Sequence, residues 1–80
     1  MYESVVAACK PYLGAQSDGF LSRQCVFHLR MAPKNLGRDD IGELARWAEI
    51  SGALIIGRDK AREMRRDIEA LIKRKEWQIV

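Results

Sequence analysis

The sequence has few of the residues from which disulfide scaffolds, metal centres and membrane spans are built. Its 80 residues include two cysteines and one histidine, and apolar runs such as Ala53 to Ile56 are short. Two cysteines are too few for a disulfide scaffold, and a helix that crosses a bilayer needs about 20 consecutive apolar residues. The first residues also lack a basic segment followed by a long apolar run. We therefore expect no membrane span, no secretory signal and a reducing, cytoplasmic location.

The sequence does contain enough apolar material for a core, since 48 % of its residues are hydrophobic and 31 % are charged. A chain of this length and composition is typical of one small globular domain. Apolar residues recur at steps of three and four, which is typical of amphipathic helices, and no hairpin signal appears. The sequence thus predicts a single all-α domain over residues 1–80 with a small four-helix bundle-like fold.

Each predicted helix has one face of apolar residues that we expect to point inward. These faces consist of Tyr2, Val5, Val6, Cys9, Tyr12 and Leu13 in the first helix, Leu21, Cys25, His28 and Leu29 in the second, Ile41, Leu44, Ala45, Ala48, Gly52 and Ile55 in the third, and Ala61, Met64, Ile68, Leu71 and Ile72 in the fourth. Gly14 and Gly57 are predicted to end the first and third helices. Leu36 is expected to fill the core from the loop between the second and third helices.

Two helix starts carry residues that commonly cap helices. Ser17 or Asp18 is predicted to cap the second helix. Asp40, followed three residues later by Glu43, resembles a capping box in which aspartate replaces the usual serine or threonine. We therefore expect the third helix to begin at Asp40.

The third helix carries apolar residues on a second face, formed by Trp47, Ile50 and Leu54. A helix with two apolar faces is either central in the core or half of an interface. Tryptophan is enriched at binding hot spots, and Trp77 is a second candidate. These four residues motivate the leading hypothesis, a noncatalytic protein-interaction or dimerisation module, conceivably part of a signalling or regulatory assembly.

The fourth predicted helix concentrates the positive charge of the chain. Residues 58–76 carry eight basic and five acidic side chains, whereas the rest of the chain is balanced, so the net charge of +3 falls on this segment. Its candidate contacts to nucleic acid are Arg58, Lys60, Arg62, Arg65 and Arg66. The interleaved acids weaken the field that phosphates would feel, and pairs such as Arg65 with Glu69 favour a solvated helix face. A small helix-turn-helix-like nucleic-acid-binding domain is therefore the alternative hypothesis.

Cys25 and His28 stand one helical turn apart and raise the question of a reactive or metal-binding pair. A structural zinc site usually needs four ligands, and the chain has only Cys9, Cys25 and His28 of the preferred types. We expect Cys25 to pack in the core as a small hydrophobe, with His28 at the core edge. The spacing does not establish whether Cys9 and Cys25 are in contact, and a reduced pair is the default.

Signatures of catalysis and of cofactor binding are missing from the sequence. It contains no glycine-rich phosphate loop, no His-x-x-x-His pair and no Gly-x-Ser-x-Gly turn. Asp39 and Asp40 are adjacent carboxylates, but their position before a helix favours capping and interaction with the helix dipole. We expect neither an enzyme nor a metal or cofactor site.

Overall fold

The computed structural model describes residues 1–73, and these are helical with no β-strand among them. The α-helices are α1 (Tyr2–Leu13), α2 (Ser17–Gln24), α3 (Ile41–Ile56) and α4 (Arg58–Ala70). A π-helical turn, Cys25–Leu29, extends α2, and short 3₁₀ turns cover Gly14–Gln16, Pro33–Asn35, Arg38–Asp40 and Leu71–Lys73. The prediction of an all-α chain is confirmed.

Helix α1 ends at Gly14, as its sequence predicts, because glycine adopts the positive φ of 61° that stops the helix. The helix runs through Pro11 to Leu13. The predicted capping of α2 is wrong, because the Ser17 hydroxyl donates to the Gly14 carbonyl at 2.8 Å. Asp18 instead accepts a hydrogen bond from the Tyr2 hydroxyl at 2.6 Å. Ser17 therefore bonds to the residue that ends α1, and Asp18 bonds to the first residue of α1.

Helix α2 ends in a wide turn rather than in regular α-helix. In the π-helical turn the N–H of Arg30 donates to the carbonyl of Cys25, and the N–H of Met31 reaches the same carbonyl at 3.1 Å. Arg30 then adopts a left-handed conformation with φ 54° and ψ 44°, which side chains other than glycine rarely adopt. The extra residue in the turn rotates the following side chains away from their α-helical positions.

Helix α3 begins at Ile41, immediately after Asp40, in agreement with the predicted start. The predicted capping bond is wrong, because Asp40 uses its carboxylate one turn earlier. That carboxylate accepts from the Gly37 N–H at 2.9 Å, while the Asp40 N–H donates to the Gly37 carbonyl at 3.0 Å. This reciprocal pair closes the Arg38–Asp40 turn and so directs the chain into α3.

Helices α3 and α4 form an antiparallel hairpin around Gly57, whose φ of 87° permits the tight reversal. Glu49 and Arg65 each lie eight residues from Gly57, and their side chains form an ion pair at 2.7 Å. Close packing in the hairpin depends on Gly52, because a Cβ at that position would lie 2.9 Å from the Met64 methyl carbon. One side of α3 is therefore packed against α4.

The core lies between this hairpin and the first two helices. It consists of Val5, Cys9, Leu13, Phe20, Leu21, Cys25, Leu36, Ile41, Leu44, Ala45, Ala48, Met64, Ile68 and Leu71. The predicted inward positions of α1 and α4 and the predicted plug, Leu36, are confirmed. No helix within residues 1–73 is long and apolar enough to cross a membrane.

Two residues predicted to point inward are exposed. His28 lies outside the core because the π-helical turn breaks the α-helical spacing that relates it to Cys25. Ile55 is 56 % exposed, since it lies one turn beyond Gly52, which is already beside Phe20 near the start of α2. Both predictions assumed that regular helical spacing, and burial with it, continues beyond Cys25 in the second helix and beyond Gly52 in the third.

Candidate functional site

The outer side of α3 carries an apolar surface formed by Trp47, Ile50 and Leu54, called here the Trp47 face. These residues follow one another at steps of three and four, so they lie in a row along the helix. Leu54 is 90 % exposed, Ile50 is 49 % exposed and Trp47 is half-buried. Soluble monomers seldom leave a contiguous apolar row uncovered.

The π-helical turn after α2 forms one border of the Trp47 face. The His28 imidazole stacks on the Trp47 indole with ring centroids 3.9 Å apart and planes 7° from parallel. One turn away, the Ser51 hydroxyl donates to the Gln24 side-chain carbonyl at 3.1 Å. Phe27, which precedes His28 in the same turn, is 70 % exposed.

The indole of Trp47 contacts residues of α3 and of the π-helical turn. Besides the His28 stack, the guanidinium carbon of Arg46 lies 5.8 Å from the indole centroid, within the range of a cation–π contact. The indole Nε1 is buried and has no hydrogen-bond partner among residues 1–73. The Nε1 edge of the indole is therefore enclosed by the protein, and one ring face is covered by His28. Trp77, the other predicted interaction residue, lies outside the described residues.

The basic residues of α4 are divided by their contacts. Arg58, Lys60, Arg62 and Arg66 are exposed. Arg65 is half-buried and pairs with Glu49 at 2.7 Å and with Glu69 at 3.4 Å, which confirms the predicted Arg65–Glu69 pair. The hydrogen bond to Glu49 raises the pKa of Arg65. Arg65 thus joins α4 to α3. Arg58, Lys60, Arg62 and Arg66 have no ion-pair partner among residues 1–73.

Cys25 and His28 do not form a reactive pair. Cys25 is fully buried, whereas His28 is exposed on Trp47. Burial, with a smaller contribution from Asp40, raises the pKa of the Cys25 thiol. Burial also raises the pKa of the other free thiol, Cys9, to about 12. Both cysteines are therefore neutral thiols at pH 7, and a neutral thiol is a poor nucleophile and a poor metal ligand.

The grooves found among the described residues include one lined by charged side chains, namely Glu49, Arg62, Arg65, Arg66 and Glu69. Another, about 640 Å³, lies between the start of α1 and the loop at Ala32 to Lys34. Residues 1–73 contain no group of three or more His, Cys, Asp or Glu side chains that could hold a metal ion. We therefore take the Trp47 face as the candidate site, because it exposes apolar side chains in a row.

Comparisons with protein-family models, with curated proteins and with solved structures find no match to this chain. The sequence pattern identifies the Trp47 face but not its border at Phe27 and His28. The π-helical turn creates that border, and helical spacing alone does not reveal such a turn.

Proposed function

We propose that this domain is a noncatalytic protein-interaction or dimerisation module that binds through the Trp47 face. The observation that carries the proposal is the 90 % exposure of Leu54 in line with the half-exposed Ile50 and the aromatic Trp47. Covering such a row removes apolar area from water at about 25 cal/mol per Å². Tryptophan is among the residue types most enriched in binding hot spots.

The support beneath the Trp47 face suits a binding surface. The inner side of α3 is fixed in the core by Leu44, Ala45 and Ala48, and the Glu49–Arg65 ion pair fixes its α4 side. A rigid element that presents side chains in fixed positions loses little conformational entropy on binding. We infer that a partner would meet a preformed surface.

The remaining features of the domain extend this proposal. We propose a small four-helix bundle-like domain, in which the short α2 counts as a helix together with its π-helical extension. The two free, buried cysteines support a reducing, cytoplasmic environment. A role in a signalling or regulatory assembly would follow from a small domain that supplies binding without catalysis.

The proposal is tested by measuring the solution mass and the captured proteins of the wild type, of Leu54→Glu and of a matched control variant. Leu54 is almost fully exposed, so the variant should fold, but it places a charge within the apolar row. The control is Val26→Glu, because Val26 is 49 % exposed and lines a groove with Arg30, Met31 and Ala32, none of which belongs to the Trp47 face. We expect self-association or a captured protein to be lost in Leu54→Glu and retained in Val26→Glu. Equal behaviour of wild type and both variants in mass and in captured proteins would contradict the proposal.

Nucleic-acid binding stays the alternative prediction, and the same proteins test it. The exposed Arg58, Lys60, Arg62 and Arg66 would supply the phosphate contacts. Binding to mixed-sequence duplex DNA that weakens steeply as salt rises would favour this alternative. Reversing the charge of Arg62 and Arg66 should then weaken that binding, whereas Leu54→Glu should not remove it.

A further inference from the structure

The groove between the start of α1 and the loop that follows the π-helical turn is called here the Met1 groove. Its apolar lining comes from Met1, Tyr2, Ala32, Pro33 and Leu36. We propose that residues 74–80 of this chain occupy the Met1 groove, with the Trp77 side chain inside it. Trp77 then serves the fold, whereas the Trp47 face serves the proposed binding function, so the two proposals are independent.

The Met1 groove has the size and the lining of a site for apolar side chains. Its volume of about 640 Å³ lies within the range of roughly 300–1,000 Å³ that is typical of ligand pockets. Met1 is 40 % exposed at the groove, Pro33 is half-buried and Leu36 reaches the core beneath it. An occupant that covers Met1 and Pro33 therefore removes apolar area from water.

The described part of the chain ends close to the Met1 groove. The Arg38 guanidinium donates to the Ile72 carbonyl at 2.8 Å, so the chain reaches Lys73 beside the Arg38–Asp40 turn. Leu36 of the groove lies two residues before Arg38, so the Cα atoms of this pair are at most about 8 Å apart. Seven residues span up to about 25 Å when fully extended. The groove is therefore within reach of residues 74–80.

The residues that follow Lys73 supply the side chains that such a groove accepts. They are Arg-Lys-Glu-Trp-Gln-Ile-Val, in which the charged residues come first and Trp77, Ile79 and Val80 follow. Closing a short loop costs little entropy, and a segment attached next to its site binds at high effective concentration. Residues 74–80 therefore have an advantage over a separate molecule that carries the same side chains.

A double-mutant cycle on the full chain tests this contact. Trp77→Ala should raise the unfolding equilibrium constant about tenfold, because tryptophan buries a large apolar area. Ala32→Asp puts a charge in the groove and should remove most of that effect, since residues in contact are not additive. Aspartate is favoured at Ala32, the N-cap of the Pro33–Asn35 turn, so the variant should fold. The control Ala15→Asp adds the same charge at an exposed position and should leave the tenfold effect intact.

Fluorescence quenching locates Trp77 independently of stability. In a Trp47→Phe background Trp77 is the one tryptophan of the chain, so quenching by acrylamide reports the exposure of its indole. We expect Trp77 to be shielded in comparison with free N-acetyltryptophanamide. The shielding should be lost in Ala32→Asp, retained in Ala15→Asp and unchanged when the protein is diluted. Helical circular dichroism on every sample establishes that the variants are folded.

Three results would overturn the proposal. An unchanged unfolding equilibrium constant in Trp77→Ala, or quenching equal to that of the free indole, would show that Trp77 lies outside the groove. A Trp77→Ala effect that is equally large in the Ala32→Asp background would place Trp77 against another surface. Shielding that disappears on dilution would place residues 74–80 on a second copy of the chain. The effect of Leu54→Glu on captured proteins tests the proposed function separately from all three.

Discussion

At the scale of single residues, the thiol of Cys9 and the hydroxyls of Tyr2 and Tyr12 stabilise the fold. Cys9 is buried in the core, and the Tyr2 and Tyr12 hydroxyls donate to the carboxylates of Asp18 and Asp67. These two bonds join α1 to the start of α2 and to α4. The hydrogen bond to Asp67, together with burial, raises the pKa of Tyr12 to about 12. Each of these groups is held in its neutral, protonated form.

This protonation predicts a loss of stability in alkaline solution. Cys9 titrates at about 12 in the folded chain, against an ordinary pKa of 9.0, and Tyr12 at about 12, against 10.0. The unfolded chain therefore loses these protons first, so the free energy of unfolding should fall as pH rises from 9 towards 12. Urea unfolding across this range measures the effect. A Cys9→Ala, Tyr12→Phe variant should show a smaller slope, and an identical slope would contradict the assignment.

Substitution of the second buried thiol tests its role directly. Cys25→Ser should lower the free energy of unfolding by about 1–3 kcal/mol, because a hydroxyl buried among apolar side chains needs a hydrogen bond. Association through the Trp47 face should be unchanged, since Cys25 points into the core. Denaturant unfolding and solution mass measure the two properties. Tight zinc binding that Cys25→Ser removes would contradict a packing role.

At the scale of elements, the π-helical turn is the least regular part of the chain and shapes the border of the Trp47 face. It exposes Phe27 and brings His28 onto Trp47, and it ends in the left-handed Arg30. An arginine in this conformation carries a strain that glycine would not. The turn is therefore maintained by its surroundings rather than by its own residue preferences.

The strain at Arg30 gives a prediction with a charge-matched control. Arg30→Gly should raise the free energy of unfolding by about 0.5–1 kcal/mol, the strain relieved less the entropy that glycine adds to the unfolded chain. Arg23→Gly, within the regular part of α2, should lower it by about 1 kcal/mol because glycine is a poor helix former. Thermal unfolding of both variants measures the difference. A loss of stability in Arg30→Gly similar to that in Arg23→Gly would show that the left-handed turn is not strained.

Regular helical spacing explains which elements are predictable from the sequence. The α4 stripe from Ala61 to Leu71 is buried as predicted, because the amphipathic spacing there is uninterrupted. The start of α3 is predictable, but the partner of the Asp40 carboxylate is not, since capping and turn closure use the same residue types. His28 is predicted wrongly because one extra residue per turn is invisible in a pattern of apolar residues. The Trp47 row is recognised in the sequence, whereas its exposure depends on how α2 and α4 flank α3.

At the scale of the whole molecule, α4 and α2 with its π-helical turn pack against α3 and leave its Ile50 and Leu54 side chains exposed within residues 1–73. The chain is small, so α3 is covered along its core side only, from Ile41 to Gly52. The domain therefore combines a fixed scaffold with an exposed apolar row, and this combination underlies the proposed binding role.

The most direct measurement of that role pairs solution mass with helical circular dichroism on Ile50→Glu. Ile50 and the control Val26 are equally exposed, so Ile50→Glu and Val26→Glu should both keep the wild-type helical signal. We predict that Ile50→Glu lowers the solution mass to that of the monomer while Val26→Glu retains the mass of the wild type. Loss of helical signal in Ile50→Glu with no folded monomer remaining would place Ile50 in the core, and an identical monomeric mass for all three proteins would exclude self-association.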